Sequence, residues 1–160
     1  MPARTRRIAA IGLVAIAIPA AAAGGYAVAA GQPTRSELAS AKDPVGGKGR
    51  TLGLTRVTIP AGAQLAAHTH PGTEIARIEQ GTLTYTVERN GAVPVYRGDA
   101  GSARKLRTLR PGQTARLRAG DWIVEQPGMV HHAANNTGGR VVILLSSLFP
   151  NGAPPSSPAS

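Results

Sequence analysis

The sequence predicts an all-β domain, a sandwich or barrel built from short strands. Turn residues are plentiful, with 20 Gly and 13 Pro in 160 residues, and they punctuate the chain at short intervals. Residues 82–88 alternate cleanly, with Leu83, Tyr85 and Val87 on one face and Thr82, Thr84, Thr86 and Glu88 on the other, the period of a half-buried strand. No sustained helical periodicity appears after the N-terminal segment.

The elements follow in order. Leu52, Leu54 and Arg56 alternate with Gly53, Thr55 and Val57 in a strand that ends at Ile59-Pro60. Gln64, Ala66, His68 and His70 share one face of the next, and Pro71-Gly72 turns the chain. Residues 75–79 form a short strand, with Glu74, Ala76 and Ile78 on one side, and Gln80-Gly81 leads into strand 82–88. Asn90-Gly91 is the strongest hairpin signal, with residues 93–96 as its return limb. Residues 97–112 read as a long, basic, Gly-rich loop. Residues 114–117, 122–126 and 131–135 are strands separated by Gly120-Asp121 and Pro127-Gly128 turns. The apolar run 141–145 reads as a strand buried on both sides.

Outside this domain, residues 1–30 read as a helical signal or anchor segment. Arg4, Arg6 and Arg7 precede an apolar run from Ile8 to Ile18, then Pro19 and small residues through Ala30. That is the pattern of a secretory signal peptide, and an uncleaved membrane anchor is the alternative. Thr5-Arg6-Arg7 carries the arginine pair of a twin-arginine signal, but Ala9 and Ala10 stand where larger apolar residues are usual. Either outcome puts the domain outside the cytoplasm, secreted or in the cell envelope. Residues 31–50 read as a flexible linker, 51–150 as the folded domain, and 151–160 as a disordered Pro/Ser/Ala tail.

Composition narrows the chemistry. Cysteine is absent, which removes disulfides, thiolate metal sites and cysteine nucleophiles. The net charge is +10. Arg4, Arg6 and Arg7 account for three of the 18 basic residues, so the rest of the chain carries 15 against 8 acidic residues, a balance of +7. Arg104, Lys105, Arg107, Arg110, Arg116 and Arg118 are the densest positive stretch. With few aromatics for stacking and an exported location, nucleic acid is not an expected partner. A solvated loop is the default reading of this stretch, and weak contact with an anionic envelope surface is the sharper one.

The chemistry concentrates at His68, His70 and Glu74. On a strand, positions i and i+2 point the same way, and Glu74 returns on the following strand. Two imidazoles and a carboxylate suit a divalent transition metal. The bland alternative for Glu74 is a surface ion pair with Arg77 or Arg56, worth little. A second pattern runs from Gly120 through Gln126-Pro127-Gly128 to His131 and Asn135.

At this point the sequence resembles the cupin superfamily. Gly62, His68, His70, Glu74 and Gly81 fit its first motif, and Gly120, Gly128, His131 and Asn135 fit its second; Gln126 stands where that motif usually has Pro. The Gly120 and Asn135 spacings both select His131. A register that recovers Pro127 would select His132 and Asn136 instead. The resemblance spans residues 51–148 and implies a jelly-roll β-barrel of the RmlC-like cupin type, with one metal ion held inside by His68, His70, Glu74 and His131. The metal could be Fe, Mn, Zn, Cu or Ni, since mixed N/O ligation does not choose. Tyr85 falls on the inward face, as a ligand-binding residue or as plain core; Gln64 and Gln126 are candidates to orient the ligands. Asn135 reads as structural and Trp122 as packing. The resemblance further implies a small-molecule ligand at the metal, a homodimer, and oxygen-dependent cleavage of a dioxygenase type as the first activity to test. The rival is a non-catalytic binding module or a structural envelope protein, because no separate general base is evident.

Overall fold

The computed structural model describes residues 31–159; the expected signal or anchor segment lies outside them. These residues form two antiparallel sheets. In chain order the strands are β1 (Thr34–Lys42), β2 (Arg50–Ile59), β3 (Gln64–Thr69), β4 (Thr73–Gln80), β5 (Thr82–Arg89), β6 (Val93–Arg97), β7 (Arg104–Leu109), β8 (Thr114–Arg118), β9 (Asp121–Glu125), β10 (Val130–Ala134), β11 (Val141–Pro150) and β12 (Ser157–Pro158). One sheet runs β1-β2-β11-β4-β9-β6-β7, the other β12-β3-β10-β5-β8. This is the all-β sandwich anticipated from the turn-punctuated alternation, in the jelly-roll form that the family resemblance implied.

The alternation explains the core. Leu83, Tyr85 and Val87 of β5 are buried, as are Val57 and Ile59 of β2, Ala76 and Ile78 of β4, and Ile123 of β9. Each set occupies every second position, so each strand gives one face to the space between the sheets. At about 25 cal/mol per Å² of apolar area removed from water, a fully buried Ile or Leu contributes roughly 1.5–3 kcal/mol, so this single cluster dominates stability. Buried Asn135 is fully bonded: it donates from Nδ2 to the carbonyls of Ile59 (2.9 Å) and Gly139 (2.7 Å) and accepts from Thr137 at Oδ1.

Several expectations are corrected. The 31–50 linker contains β1, which pairs with β2 across a turn that Gly49 N closes onto Asp43 Oδ1 (2.6 Å). All nine β1 residues are exposed, so no buried face marks it in the sequence. The 151–160 tail contains β12, paired with β3 through Ser157 and Pro158. The 97–112 loop contains β7, which pairs with β6. β7 is an edge strand, and its exposed Arg104, Lys105 and Arg107 discourage edge-to-edge pairing. Asn90-Gly91 is not a hairpin turn, because β5 and β6 belong to different sheets; Asn90 takes a left-handed conformation (φ 62°) as the chain crosses between them. Finally, β11 is buried at alternate positions only, with Val142 and Leu144 half-buried.

Gly72 matters for the site that follows. A Cβ there would collide with the Leu148 carbonyl and come within 2.9 Å of the Phe149 ring. The tight approach lets the Pro71-Gly72 turn lie against β11, with His70 on one side and Glu74 on the other.

Candidate metal centre

β3 and β10 are antiparallel neighbours, and His68 pairs directly with His131. His70 follows at the end of β3. The three rings cluster, with centroids 4.3 Å apart for His68–His131, 4.9 Å for His68–His70 and 5.1 Å for His70–His131. One ring nitrogen from each lies within 4.8 Å of the others. Glu74 enters from β4 in the opposite sheet, with Oε1 3.7 Å from His70 Nε2. The four residues singled out from the sequence therefore meet inside the barrel, and His132 does not join them. It points outward, where its Nδ1 lies 2.7 Å from Glu88 Oε1.

A fifth group is present that sequence reasoning missed. Glu125, at the end of β9, is buried, with Oε2 3.4 Å from His70 Nε2 and Oε1 3.3 Å from His131 Nε2. It pairs across the sheet with Glu74. The signal was legible: Asp121, Ile123 and Glu125 alternate with Trp122 and Val124, so Glu125 shares the face of Ile123.

The other candidates separate. Tyr85 lines the cavity beside Glu125, stacks on His131 (5.3 Å, 25°), and has a buried hydroxyl without a hydrogen bond of good geometry. Gln126 is exposed and accepts a long bond (3.4 Å) from Thr73 Oγ1; one step past Glu125, it faces outward. Gln64 is exposed too. Its pairing explains why: His131 opposes His68 while Ala133 opposes Leu65, so an irregularity in β3 shifts the alternation. Leu65, not Gln64, shares the inner side with His68. Arg77 pairs with Glu79 and Asp99 instead of Glu74.

Two of the three imidazoles have a fixed tautomer. His68 Nδ1 lies 2.7 Å from the Ala66 carbonyl, and His70 Nδ1 lies 2.7 Å from the Pro155 carbonyl. Each Nδ1 must donate, which leaves each Nε2 lone pair free to bind an ion. The second of these bonds comes from the segment expected to be a disordered tail.

Electrostatics agree with that assignment. Burial, against the opposing bond to Pro155, brings His70 down to about 4. Burial and the neighbouring His68 and His70 bring His131 down to about 3, so both rings are neutral at neutral pH. Burial lifts Glu74 to about 7 against the pull of Arg35. Burial and the Glu74 charge lift Glu125 to about 8. Burial also pushes the Tyr85 hydroxyl well above its ordinary value.

These residues fit a divalent transition ion. Neighbouring ligands at about 2.0–2.1 Å from one ion stand about 3.0–3.4 Å apart in octahedral or tetrahedral arrangements, near the 3.3 and 3.4 Å of Glu125 and the 3.7 Å of Glu74 from the histidine nitrogens. Glu74 Oε2 is buried without a hydrogen bond, its nearest cation being Arg35 Nη2 at 3.9 Å. Such an orphaned carboxylate oxygen is costly unless a positive charge completes it. The centre opens into a cavity of about 360 Å³ whose remaining walls are mainly apolar, including Val57, Ile78 and Leu145. Ser156 and Pro158 of the C-terminal segment close one side.

Comparison with known families gives a match to the cupin model over residues 32–152. The chain belongs to the cupin family. Among solved structures, this cupin is similar to an uncharacterized conserved protein with a double-stranded beta-helix domain from Klebsiella pneumoniae (21% identity, TM-score 0.54, covering 81% of this chain and 86% of that one). It is also similar to a cupin-like protein from Thermotoga maritima (16% identity, TM-score 0.51, 80% and 76%). A third is a cupin 2 domain-containing protein from Halorhodospira halophila (10% identity, TM-score 0.51, 81% and 71%). These likenesses concern the fold. No curated protein matches the chain.

Proposed function

We propose that this is an exported, metal-dependent cupin that binds a small organic ligand at the ion, and that its first activity to test is oxygen-dependent, dioxygenase-type cleavage. The observation that carries the reading is the convergence of His68, His70 and His131, with Glu74 beside His70, in a largely apolar cavity. Three neutral nitrogens and a carboxylate would hold one divalent ion. A redox-active ion bound there would supply O2-dependent chemistry, and Zn would supply Lewis acidity. Export rests on the basic and apolar pattern of residues 4–30.

The chain's own residues define what else the site does. Apolar walls exclude water from a ligand's body and strengthen the electrostatics within. Arg35 is the one Arg or Lys lining the cavity among the described residues. Among the described residues its close charged partner is Glu74 at 3.9 Å, which leaves donors available for an anionic group. The favoured ligand is therefore a small carboxylate with an apolar body. The Tyr85 hydroxyl, beside Glu125 in the cavity wall, is placed to donate to such a ligand.

The test is a thermal-shift screen of the metal-loaded protein with small aliphatic and aromatic carboxylates and their matched amides, followed by oxygen-uptake assays on the binders. Binding that His68→Ala abolishes, accompanied by oxygen uptake, supports the enzyme. Binding without turnover moves the assignment to a non-catalytic binding module. No binding by any class of compound contradicts the small-molecule reading.

A further inference from the structure

We propose that Glu125 is a fifth protein ligand, so that the centre is built from three imidazoles and two carboxylates. This rests on the metal-binding reading above and goes beyond its four ligands. Glu125 is 3% exposed and touches two of the three histidines at once, Oε1 toward His131 (3.3 Å) and Oε2 toward His70 (3.4 Å). Its partners are thus the nitrogens that the ion would share. His70, Glu74 and Glu125 themselves form a second group of ligand atoms within 4.8 Å of one another.

The register supplies an independent argument. Glu74 and Glu125 are direct cross-strand partners on β4 and β9, and both are buried. Like charges directly opposite each other destabilise a sheet, and the effect grows away from water. Arg35 reaches Glu74, but no Arg or Lys is paired with Glu125 among the described residues. A buried carboxylate pair flanked by neutral imidazoles has the charge to neutralise one divalent cation.

The consequence concerns the open positions. With four protein ligands a six-coordinate ion keeps two sites, enough for a chelating ligand. With Glu125 bound it keeps one. A centre holding such an ion would admit a single further donor atom, and a chelating ligand would compete with Glu125 for its place. The additional hard oxygen also favours Mn and Fe over Cu.

The experiment uses the full chain, stripped with chelator and titrated with Mn2+ by calorimetry, with inner-sphere water counted by 17O-water ENDOR. Wild type, Glu125→Gln, Glu125→Leu and Glu74→Gln are compared. The expected result is a loss of Mn2+ affinity in Glu125→Gln of at least tenfold, similar to that in Glu74→Gln, with inner-sphere water rising from one to two. In the absence of metal, Glu125→Leu should melt higher than wild type, which also shows that the variant folds. Wild-type affinity and water count in both Glu125 variants would overturn the proposal while leaving the four-ligand centre intact. Failure of the wild type to bind Mn2+, Fe2+, Co2+ or Zn2+ would overturn both.

Discussion

Glu74 on β4 and Glu125 on β9 face each other directly across the sheet, and both reach His70 Nε2, at 3.7 and 3.4 Å. Two carboxylates placed this way inside an apolar barrel make the metal-free protein pay for its own centre. Removal of the ion and the pH response of stability are therefore linked.

The metal-free protein should be most stable at mildly acidic pH. Glu74 and Glu125 are raised from 4.5 to about 7 and about 8 by burial, Glu125 also by Glu74. The folded state holds these protons more tightly than the unfolded chain, so stability is full below 4.5 and is lost as pH rises toward 8. His70 and His131 are lowered from 6.5 to about 4 and about 3, mainly by burial. Their contribution is present above 6.5 and is lost as pH falls toward 3. Urea denaturation of chelator-treated protein should show its maximum where these ranges overlap, between 4.5 and 6.5. Added divalent ion should abolish the decline toward pH 8, because it takes the place of the carboxyl protons. A metal-free protein whose stability rises steadily from pH 5 to 8 would contradict this.

Deleting residues 153–160 should damage the centre more than the fold. The deletion removes the Pro155 carbonyl that accepts from His70 Nδ1, and the Ser156 and Pro158 wall. Loss of such an orienting partner typically costs about 10–100-fold in metal affinity. Calorimetric titration should show a drop of that order while circular dichroism keeps the β signature. Unchanged affinity would show that His70 needs no support from the tail.

Arg35→Gln should separate ligand recognition from stability. Its side chain is 35% exposed and its contact with the buried Glu74 is long, 3.9 Å, and in the metal-loaded protein the ion would take over the role of balancing Glu74. The melting temperature should stay close to wild type, while carboxylate probes lose at least tenfold in affinity and their matched amides do not. Equal losses for both would mean that Arg35 does not read charge.

Gly72→Ala should destabilise the protein by about 1–3 kcal/mol, the usual cost of overpacking. The added methyl would meet the Leu148 carbonyl and the Phe149 ring. Phe149 stacks on His70 (5.8 Å, 16°), so metal affinity should fall as well. Chemical denaturation and metal titration of the same sample check both effects.

Much of this site was legible in the sequence because it depends on local geometry. His68 and His70 sit two apart, and the Gly120 and Asn135 spacings pick out His131 over His132. What escaped depends on contacts between distant segments. The β3 irregularity that turns Gln64 outward is visible only in the pairing with β10. β1 buries no face and is ordered by its partner β2. β12 is two residues long and depends on β3. Asn90-Gly91 carries the composition of a hairpin, yet whether the next strand returns to the same sheet is decided by the sandwich as a whole. Glu125 was legible in principle, since the alternation of β9 puts it on the face of Ile123, but it lies outside the motif positions, whereas Gln126 occupies the place of a motif proline.

The most direct test is the metal content, by elemental analysis, of protein purified from its native compartment, for wild type and for the double substitution His68→Ala, His131→Ala. The account predicts about one divalent transition ion per wild-type chain and almost none in the variant. Wild-type protein free of metal and unable to take it up, or a variant that retains the ion, would contradict it.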